Sequence, residues 1–298
     1  MLDDERIRIS SSVVRHLIST QFPNWRNLPI RRVDADGWDN STFRLGDDMK
    51  VRLPASAEYV PQVAKEYRWL PRLAPLLPVG VPMPLALGAP ARTYPWPWAV
   101  YRWLEGEAAS PERIDDQRKF AADLAQFLRA LQQIDTVDGP RPGPHSFYRG
   151  GSLSTYNAET MQSLAVLRDE IDAHEAVAAW EAALAAPWHG PTVWVHGDMA
   201  ATNLIVKNGR LTGVIDFGCC AVGDPACDLT IAWTLLSEEG EEAFRTTLSA
   251  DKSVWTRARG WALWKALLIL AKKVGKRADQ DQALGIVARV LTEHIRSI

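Results

Sequence analysis

The chain has 298 residues, of which 47% are hydrophobic and 23% are charged, values ordinary for a globular protein of one large domain or two modest lobes. Its formal net charge of −2 argues against nucleic acid as a partner and against attachment to a membrane surface through basic residues. The acidic amino terminus lacks the apolar core of a signal peptide, and the apolar helical stretch 261–271 is too short to span a bilayer. We therefore expect a cytoplasmic protein without a membrane or nucleic-acid partner, and the composition leaves the oligomeric state open.

Short strands and two helices are predicted in the first part of the chain. Apolar residues at helical spacing predict an amphipathic helix over residues 10–22. Three short strands are predicted at residues 30–33, 42–45 and 50–53. Pro61 favours the first turn of a second helix, which carries Glu66 fourteen positions after Arg52. Residues 36–41, between the first two strands, contain a single glycine, so this connection is not a glycine-rich loop.

The remainder of the chain is predicted to be mainly helical. Aromatic and β-branched residues predict a strand over residues 98–104, after which the chain turns near residue 105. Ser110 and Pro111 favour the N-cap and first residue of a helix. Further helices are predicted over residues 159–186, 241–248, 254–274 and 279–298.

Two clusters of like residues have more than one interpretation. Three cysteines, at positions 219, 220 and 227, lack both a disulfide framework and the spacing of a metal site, which favours small, reduced, partly buried thiols. Four glutamates lie within residues 238–242. They indicate either a solvated turn between helices or an acidic wall that attracts a polycationic substrate.

One stretch carries the clearest chemical signal. Asp198 and Asn203 are five positions apart, and an Asp-Phe-Gly sequence begins at Asp216. Between them, short apolar runs flank Asn208 and Gly209, a pair typical of a type I′ hairpin because both turn positions need positive φ. Such a hairpin would bring Asp198, Asn203 and Asp216 to one place.

These three side chains match the requirements of phosphoryl transfer from a nucleotide. One carboxylate orients the attacking hydroxyl and accepts its proton, while an amide oxygen and a second carboxylate hold magnesium against the phosphates. The step from Asp198 to Asn203 and the later Asp-Phe-Gly match the protein-kinase catalytic and metal-binding motifs. The ordered pair of motifs therefore predicts a kinase-like site.

The detailed sequence resembles the aminoglycoside phosphotransferase family, small-molecule kinases related to protein kinases. His196-Gly197-Asp198 stands where protein kinases have His-Arg-Asp, and residues 223–229 (Gly-Asp-Pro-Ala-Cys-Asp-Leu) also match the family. The resemblance implies an α+β, protein-kinase-like two-lobed fold. It implies a small N-lobe with an antiparallel sheet at residues 1–104 and a large, mostly helical C-lobe at residues 105–298.

The resemblance also implies roles for individual residues. Asp198 becomes the catalytic base, and Asn203 and Asp216 become the magnesium ligands. Arg52, tethered by Glu66, is expected to meet the inner phosphates. Arg52 replaces the lysine of protein kinases, and Lys50 on the same strand face is its rival for this role.

Five further residues receive weaker assignments from the same resemblance. The Ser41 hydroxyl and nearby backbone N–H groups are expected to meet phosphate oxygens. The nucleobase is expected at the backbone of Trp103 and Leu104. His196 and Asp228 are interpreted as residues that brace the catalytic loop.

The expected reaction is transfer of the γ-phosphate of ATP or GTP, with Mg²⁺, to a hydroxyl of a small molecule. An antibiotic of the aminoglycoside class is favoured as acceptor, and antibiotic resistance as the consequence. Macrolides, choline-like amino alcohols and other metabolites remain alternative acceptors. A nucleotide-binding pseudokinase without turnover is an alternative function, and it is favoured by arginine in place of lysine at position 52. A metal-dependent hydrolase is disfavoured because the sequence has no second histidine-rich ligand motif.

Overall fold

The structure, a computed structural model, describes residues 6–33 and 39–297. Residues 36–38 of the connection predicted at residues 36–41 lie outside the described residues. The helices are α1 (Ser11–Gln21), α2 (Val60–Leu73), α3 (Gln117–Gln133), α4 (Asn157–Leu167), α5 (Ala173–Ala185), α6 (Ile231–Thr234), α7 (Glu238–Leu248), α8 (Lys252–Ala271) and α9 (Arg277–Ser297). The strands are β1 (Ile30–Arg32), β2 (Asn40–Leu45), β3 (Met49–Pro54), β4 (Pro84–Gly88), β5 (Trp98–Arg102), β6 (Glu107–Ala108), β7 (Val193–Val195), β8 (Leu204–Lys207), β9 (Arg210–Val214) and β10 (Ala221–Gly223).

The amino-terminal part is an antiparallel sheet in the order β1-β2-β3-β5-β4. Because alternate side chains of a strand face opposite sides, the sheet has two different faces. Phe43, Val51 and Val100 are fully buried in an apolar cluster that includes residues of α1. Lys50 and Arg52 lie on the other face, toward the rest of the molecule. The predicted strands at the start of the chain and the helix over residues 10–22 are therefore confirmed.

Helix α2 crosses that second face and connects it to the helical part. It buries Glu66 beside the sheet, and one residue earlier Lys65 reaches a loop of the helical part. The Lys65 ammonium lies 2.9 Å from the His145 Nδ1 atom and 3.0 Å from the His145 carbonyl oxygen. Helix α2 is thus anchored to both parts of the molecule.

The predicted hairpin is confirmed. Strands β8 and β9 pair antiparallel, and Asn208 and Gly209 at their turn have φ of 51° and 72°. The catalytic-loop residues lie between β7 and β8, and the Ile215 N–H donates to the Asn203 carbonyl at 2.8 Å. This bond ties the end of the hairpin to the loop, so that Asp216 follows directly beside Asn203.

Two expectations for the helical part are corrected. The helix predicted to begin at Ser110 and Pro111 begins instead at Gln117, because the Asp116 carboxylate caps it by accepting from the Lys119 N–H, while Pro111 starts a short 3₁₀ turn. The 238–242 cluster forms the first turn of α7 rather than a turn between helices. Carboxylates in this position interact favourably with the positive end of the helix dipole. Those of Glu239, Glu241 and Glu242 also form ion pairs with arginines at positions 118, 245 and 289.

Within the described ranges, none of the helices combines the length and the apolar character that crossing a bilayer requires.

Candidate active site

A cavity of about 740 Å³ lies between the amino-terminal sheet and the β8–β9 hairpin. Four of the polar residues that the sequence singled out lie in its walls: Lys50, Arg52, Asn203 and Asp216. The lining residues include Asp39, Asn40, Thr42, Lys50, Arg52, Trp103, Leu104, Asn203 and Asp216. The size suits a nucleotide, since small-molecule sites in proteins enclose roughly 300–1,000 Å³.

Asp198 stands at the boundary of this cavity, held by neighbours on two sides. The Asn203 amide nitrogen donates to the Asp198 carbonyl oxygen at 2.9 Å and to its Oδ2 at 3.3 Å. On the other side, the Lys265 ammonium lies 2.9 Å from Oδ1. Burial alone would raise the pKa of Asp198, but the charge and hydrogen bond of Lys265 together with the charge of Arg149 outweigh it, and the pKa is lowered to about 2. Asp198 is therefore an oriented carboxylate that remains ionised at neutral pH.

Steric constraints explain why the residue between His196 and Asp198 is glycine. Gly197 has φ of 85°, and a Cβ at this position would collide with the carbonyl oxygen of Cys219. Only glycine therefore allows the loop to pass this close to the segment after Asp216. The three cysteines nearby are buried and reduced, as expected, and burial raises the pKa of the Cys220 thiol to about 11.

Arg52 connects the sheet, helix α2 and Asp216. Its Nη1 lies 3.0 Å from both carboxylate oxygens of Glu66, and its Nη2 lies 2.7 Å from Oδ1 of Asp216. The Tyr101 hydroxyl also donates to Glu66, at 2.7 Å. Burial would raise the pKa of Asp216, but Arg52 holds it below its ordinary value. Both arms of the guanidinium are therefore committed to protein carboxylates.

Lys50 is in the opposite situation. Its side chain is 7% exposed and lines the same cavity, and no hydrogen bond or ion pair within the described ranges engages its ammonium. Burial, together with the nearby charge of Arg52, lowers the pKa of Lys50 to about 8. A buried cation without a carboxylate is costly, so this position calls for an anion from outside the protein.

His196 and Asp228 lie below the catalytic loop. The buried Asp228 carboxylate accepts the backbone N–H groups of His196 and Gly197, both at 2.7 Å. The His196 ring donates through Nε2 to the Ile215 carbonyl at 2.9 Å, and Nδ1 then accepts the Asp198 N–H at 3.3 Å. Neither side chain lines the cavity, and the bonds of both fix the backbone from His196 to Asp198 and tie it to Ile215.

Of the residues with weaker assignments, Trp103 and Leu104 lie at the cavity and Ser41 does not. Trp103 and Leu104 line the cavity where the chain crosses toward the helical part. The Trp103 N–H is already bonded to the Asp48 carbonyl at 2.7 Å, whereas no bond in the described part of the chain uses the Leu104 N–H. Ser41 is not a lining residue. Its neighbours Asn40 and Thr42 face the cavity and Ser41 points to the opposite side of β2, so its assignment to the phosphates is corrected.

Sequence reasoning missed three residues of this region. Asp39, at the edge of the cavity, has a pKa raised to about 7 by burial and by the charge of Asp216. Lys265 and Arg149 lie on the far side of Asp198, and both lower its pKa. They come from α8 and from the loop before α4, and no motif or spacing connects them to the catalytic stretch.

The donor set fits magnesium. The Asn203 amide oxygen and the second carboxylate oxygen of Asp216 supply oxygen ligands, which Mg²⁺ prefers. Among the described residues, no group of three or more His, Cys, Asp or Glu side chains forms a complete metal cage. That count agrees with an ion held by one or two protein ligands plus phosphates and water.

Comparisons with known proteins add independent information. Residues 30–262 match the model of the phosphotransferase enzyme family. An aminoglycoside 3′-phosphotransferase of Escherichia coli is 28% identical over 145 residues, which cover 47% of this chain and 53% of that protein. The chain thus aligns with about half the length of this curated relative.

Solved structures match over nearly the whole chain. The GDP complex of an aminoglycoside 2′-phosphotransferase-IIIa superposes with a TM-score of 0.71 at 16% identity, covering 96% of this chain and 99% of that one. A macrolide 2′-phosphotransferase from Brachybacterium faecium superposes with a TM-score of 0.60 at 22% identity, covering 93% and 97%. At such identities the likeness concerns the fold, and the predicted α+β, protein-kinase-like two-lobed fold is confirmed.

Proposed function

The chain belongs to the phosphotransferase enzyme family, and from that premise we propose that it is a kinase that phosphorylates a hydroxyl group of a small molecule. One observation carries the proposal: Asn203 and Asp216 line a nucleotide-sized cavity that also holds two buried cations, and Asn203 is hydrogen-bonded to Asp198 beside it. A pseudokinase would have no need of an ionised, oriented Asp198.

In the proposed reaction, Asp198 accepts a hydrogen bond from the acceptor hydroxyl. The hydroxyl oxygen then bonds to the γ-phosphorus, the bond from that phosphorus to the bridging oxygen breaks, and its electron pair leaves with the nucleoside diphosphate. The hydroxyl proton passes to Asp198. His196 and Asp228 keep the loop backbone in place, so that Asp198 does not reorient during the transfer.

Magnesium, held by Asn203 and Asp216, would neutralise the charge of the phosphates. We assign the direct contact with the phosphates to Lys50 rather than to Arg52. Among the residues that the structure describes, Lys50 faces the cavity without a hydrogen-bond or ion-pair partner, whereas Arg52 is bonded to Glu66 and Asp216. Arg52 then acts as the clamp that sets the position of Asp216, and Asn40 and Thr42 replace Ser41 at the phosphate side of the cavity.

The donor is ATP or GTP, and its base lies against Trp103 and Leu104, where the Leu104 N–H is available. We place the boundary between the two lobes there, with residues 1–104 as the N-lobe and 105–298 as the C-lobe. The cytosol supplies both nucleotides, which suits the expected localisation.

For the acceptor we propose an aminoglycoside, because the curated relative that aligns with the chain is an aminoglycoside 3′-phosphotransferase. The glutamates of residues 238–242 give this choice no support, since they pair with arginines and do not line the cavities around Asp198. A macrolide is the second candidate, supported by the similar fold of a macrolide 2′-phosphotransferase.

The test is magnesium-dependent nucleotide turnover across a panel of aminoglycosides, macrolides and amino alcohols. We expect one class to stimulate turnover and to be recovered as its phosphate ester. Tight nucleotide binding without turnover on any acceptor would favour the pseudokinase and contradict the proposal.

A further inference from the structure

A small cleft lies beside Asp198, next to the nucleotide cavity, to which the hydrogen bond between Asn203 and Asp198 connects it. Its lining includes Arg149, Gly197, Asp198, Met199, Trp264 and Lys265. The cleft therefore shares Asp198 with the catalytic loop, and the acceptor hydroxyl and the γ-phosphate must meet at its mouth if the proposed function holds.

Lys265 contributes the first cation of the cleft. It lies on α8 and contacts Oδ1 of Asp198 at 2.9 Å, while its side chain remains 43% exposed. An ammonium group has three N–H donors, and one of them is used in this bond. The other two remain available beside the carboxylate that takes part in the reaction.

Arg149 contributes the second cation. Its guanidinium carbon lies 4.4 Å from the ring centre of Trp264, 5.4 Å from that of Trp261 and 5.6 Å from that of Tyr156. The rings stabilise the cation without accepting its N–H groups as a carboxylate would, and among the described residues none of the five N–H donors of the Arg149 guanidinium forms a hydrogen bond. In the described part of the chain, no carboxylate forms an ion pair with Arg149.

The charges of the cleft do not balance. Asp198 compensates Lys265, and the nearby carboxylate of Glu159 is engaged by Lys272 at 2.8 Å and by the Trp264 N–H at 2.9 Å. Arg149 is left in excess. The catalytic loop itself supplies no cation, because alanines occupy positions 200 and 201. A partly desolvated cation in excess creates a site for an anion.

We propose that Lys265 and Arg149 form an anion site that holds the phosphoryl group during its transfer. The proposal rests on the proposed function. While the phosphorus changes partner from the bridging oxygen to the acceptor oxygen, negative charge is spread over its three equatorial oxygens. Lys265 and Arg149 donate hydrogen bonds to these oxygens, and the proton of the acceptor hydroxyl still passes to Asp198.

Donors aimed at charge that develops in the transition state act mainly on kcat. The experiment compares Lys265→Met, Arg149→Met and Lys265→Arg with the wild-type protein. It measures acceptor phosphorylation and also nucleotide hydrolysis without an acceptor, in which water takes the phosphoryl group. Lys252→Met is the matched control, because Lys252 is an exposed lysine of the same helix whose ammonium donates to the Ser297 carbonyl oxygen rather than to a carboxylate of the cleft.

We expect each methionine variant to lower kcat roughly 10²-fold, with both KM values within about threefold of wild type. Hydrolysis should fall in parallel, because it uses the same phosphoryl group. Lys265→Arg should recover part of the loss, and Lys252→Met should behave like wild type. Thermal unfolding of each variant verifies that it is folded.

Two results would overturn the proposal while leaving the proposed function intact. The first is unchanged kcat in the folded methionine variants. The second is unchanged hydrolysis with a much higher KM for the acceptor, which would mean that the two cations bind an anionic group of the acceptor. A wild-type protein that binds nucleotide but neither transfers nor hydrolyses it would instead refute the proposed function itself.

Discussion

Replacing Lys50 by methionine should make the protein more stable and worse at binding nucleotide. The wild-type ammonium is 7% exposed and unpaired within the described ranges, so folding removes it from water without compensation. Methionine has a similar length and no charge. The substitution therefore removes the free-energy cost of burying an unpaired ammonium group. Binding sites commonly keep such destabilising groups because the ligand needs them.

The size of the gain follows from the pKa of Lys50, which is lowered from 10.5 to about 8, first by burial and then by Arg52. This difference corresponds to roughly 3 kcal/mol in favour of the neutral amine. Below pH 8 both the folded and the unfolded protein hold the ammonium, so the full cost is present at pH 7. Lys50→Met should therefore raise the free energy of unfolding by about 1–3 kcal/mol, the upper figure being the full electrostatic cost.

The sign of the pH dependence is also fixed. Between pH 8 and 10.5 the unfolded chain holds more protons than the folded one, so wild-type stability should rise with pH across this window. The advantage of Lys50→Met should shrink there. Urea unfolding at pH 7, 8 and 9.5 measures both effects.

Nucleotide binding should reverse the order of stability. ADP or GDP should raise the Tm of the wild type more than that of Lys50→Met, while the free nucleosides should affect both equally, because the lost contact is to phosphate. Arg52→Met is the contrasting variant: it leaves the carboxylates of Glu66 and Asp216 buried without their partner and should destabilise the protein. A Lys50→Met protein less stable than wild type at pH 7, or one with the full nucleotide-induced shift in Tm, would refute this reasoning.

Three further outcomes are expected. Asp228→Ala should cost about 2–5 kcal/mol of stability in urea unfolding and lower kcat, since two buried backbone N–H groups lose their acceptor; wild-type stability would contradict the bracing role. The pKa of His145 is lowered by burial and by Lys65, so stability should fall as pH decreases below 6.5, and His145→Gln should make that fall shallower between pH 6.5 and 5; an unchanged slope would contradict this. Chelation of divalent cations should abolish turnover and added Mg²⁺ should restore it; activity that survives chelation would exclude the metal role of Asn203 and Asp216.

Local sequence signals predicted the elements that position the site. The Asn208–Gly209 turn fixed the hairpin length, and with it the meeting of Asn203 and Asp216, because type I′ turns admit few residues. The pairing of Arg52 with Glu66 followed from a strand and a helix that are adjacent in the chain. Such features are set by residues close in sequence or by strict turn geometry.

What the sequence did not reveal depends on packing over long separations. Lys265 contacts Asp198 from a helix 67 residues later, and nothing in its local pattern distinguishes it from a solvated lysine. The Ser41 prediction was wrong for a smaller reason. Without the exact register of β2, the alternation of faces could not be assigned, and a shift of one residue exchanges Ser41 for Asn40 or Thr42.

The proposed kinase activity depends most directly on Asp198, the base of the phosphoryl transfer. The decisive measurement follows the γ-phosphate of labelled ATP and GTP into the acceptor, for wild type and for Asp198→Asn, together with nucleotide binding by each. We expect a labelled phosphate ester with the wild type and a loss of roughly 10²–10⁴-fold in the variant, with nucleotide binding retained. Equal transfer by both proteins would contradict this expectation.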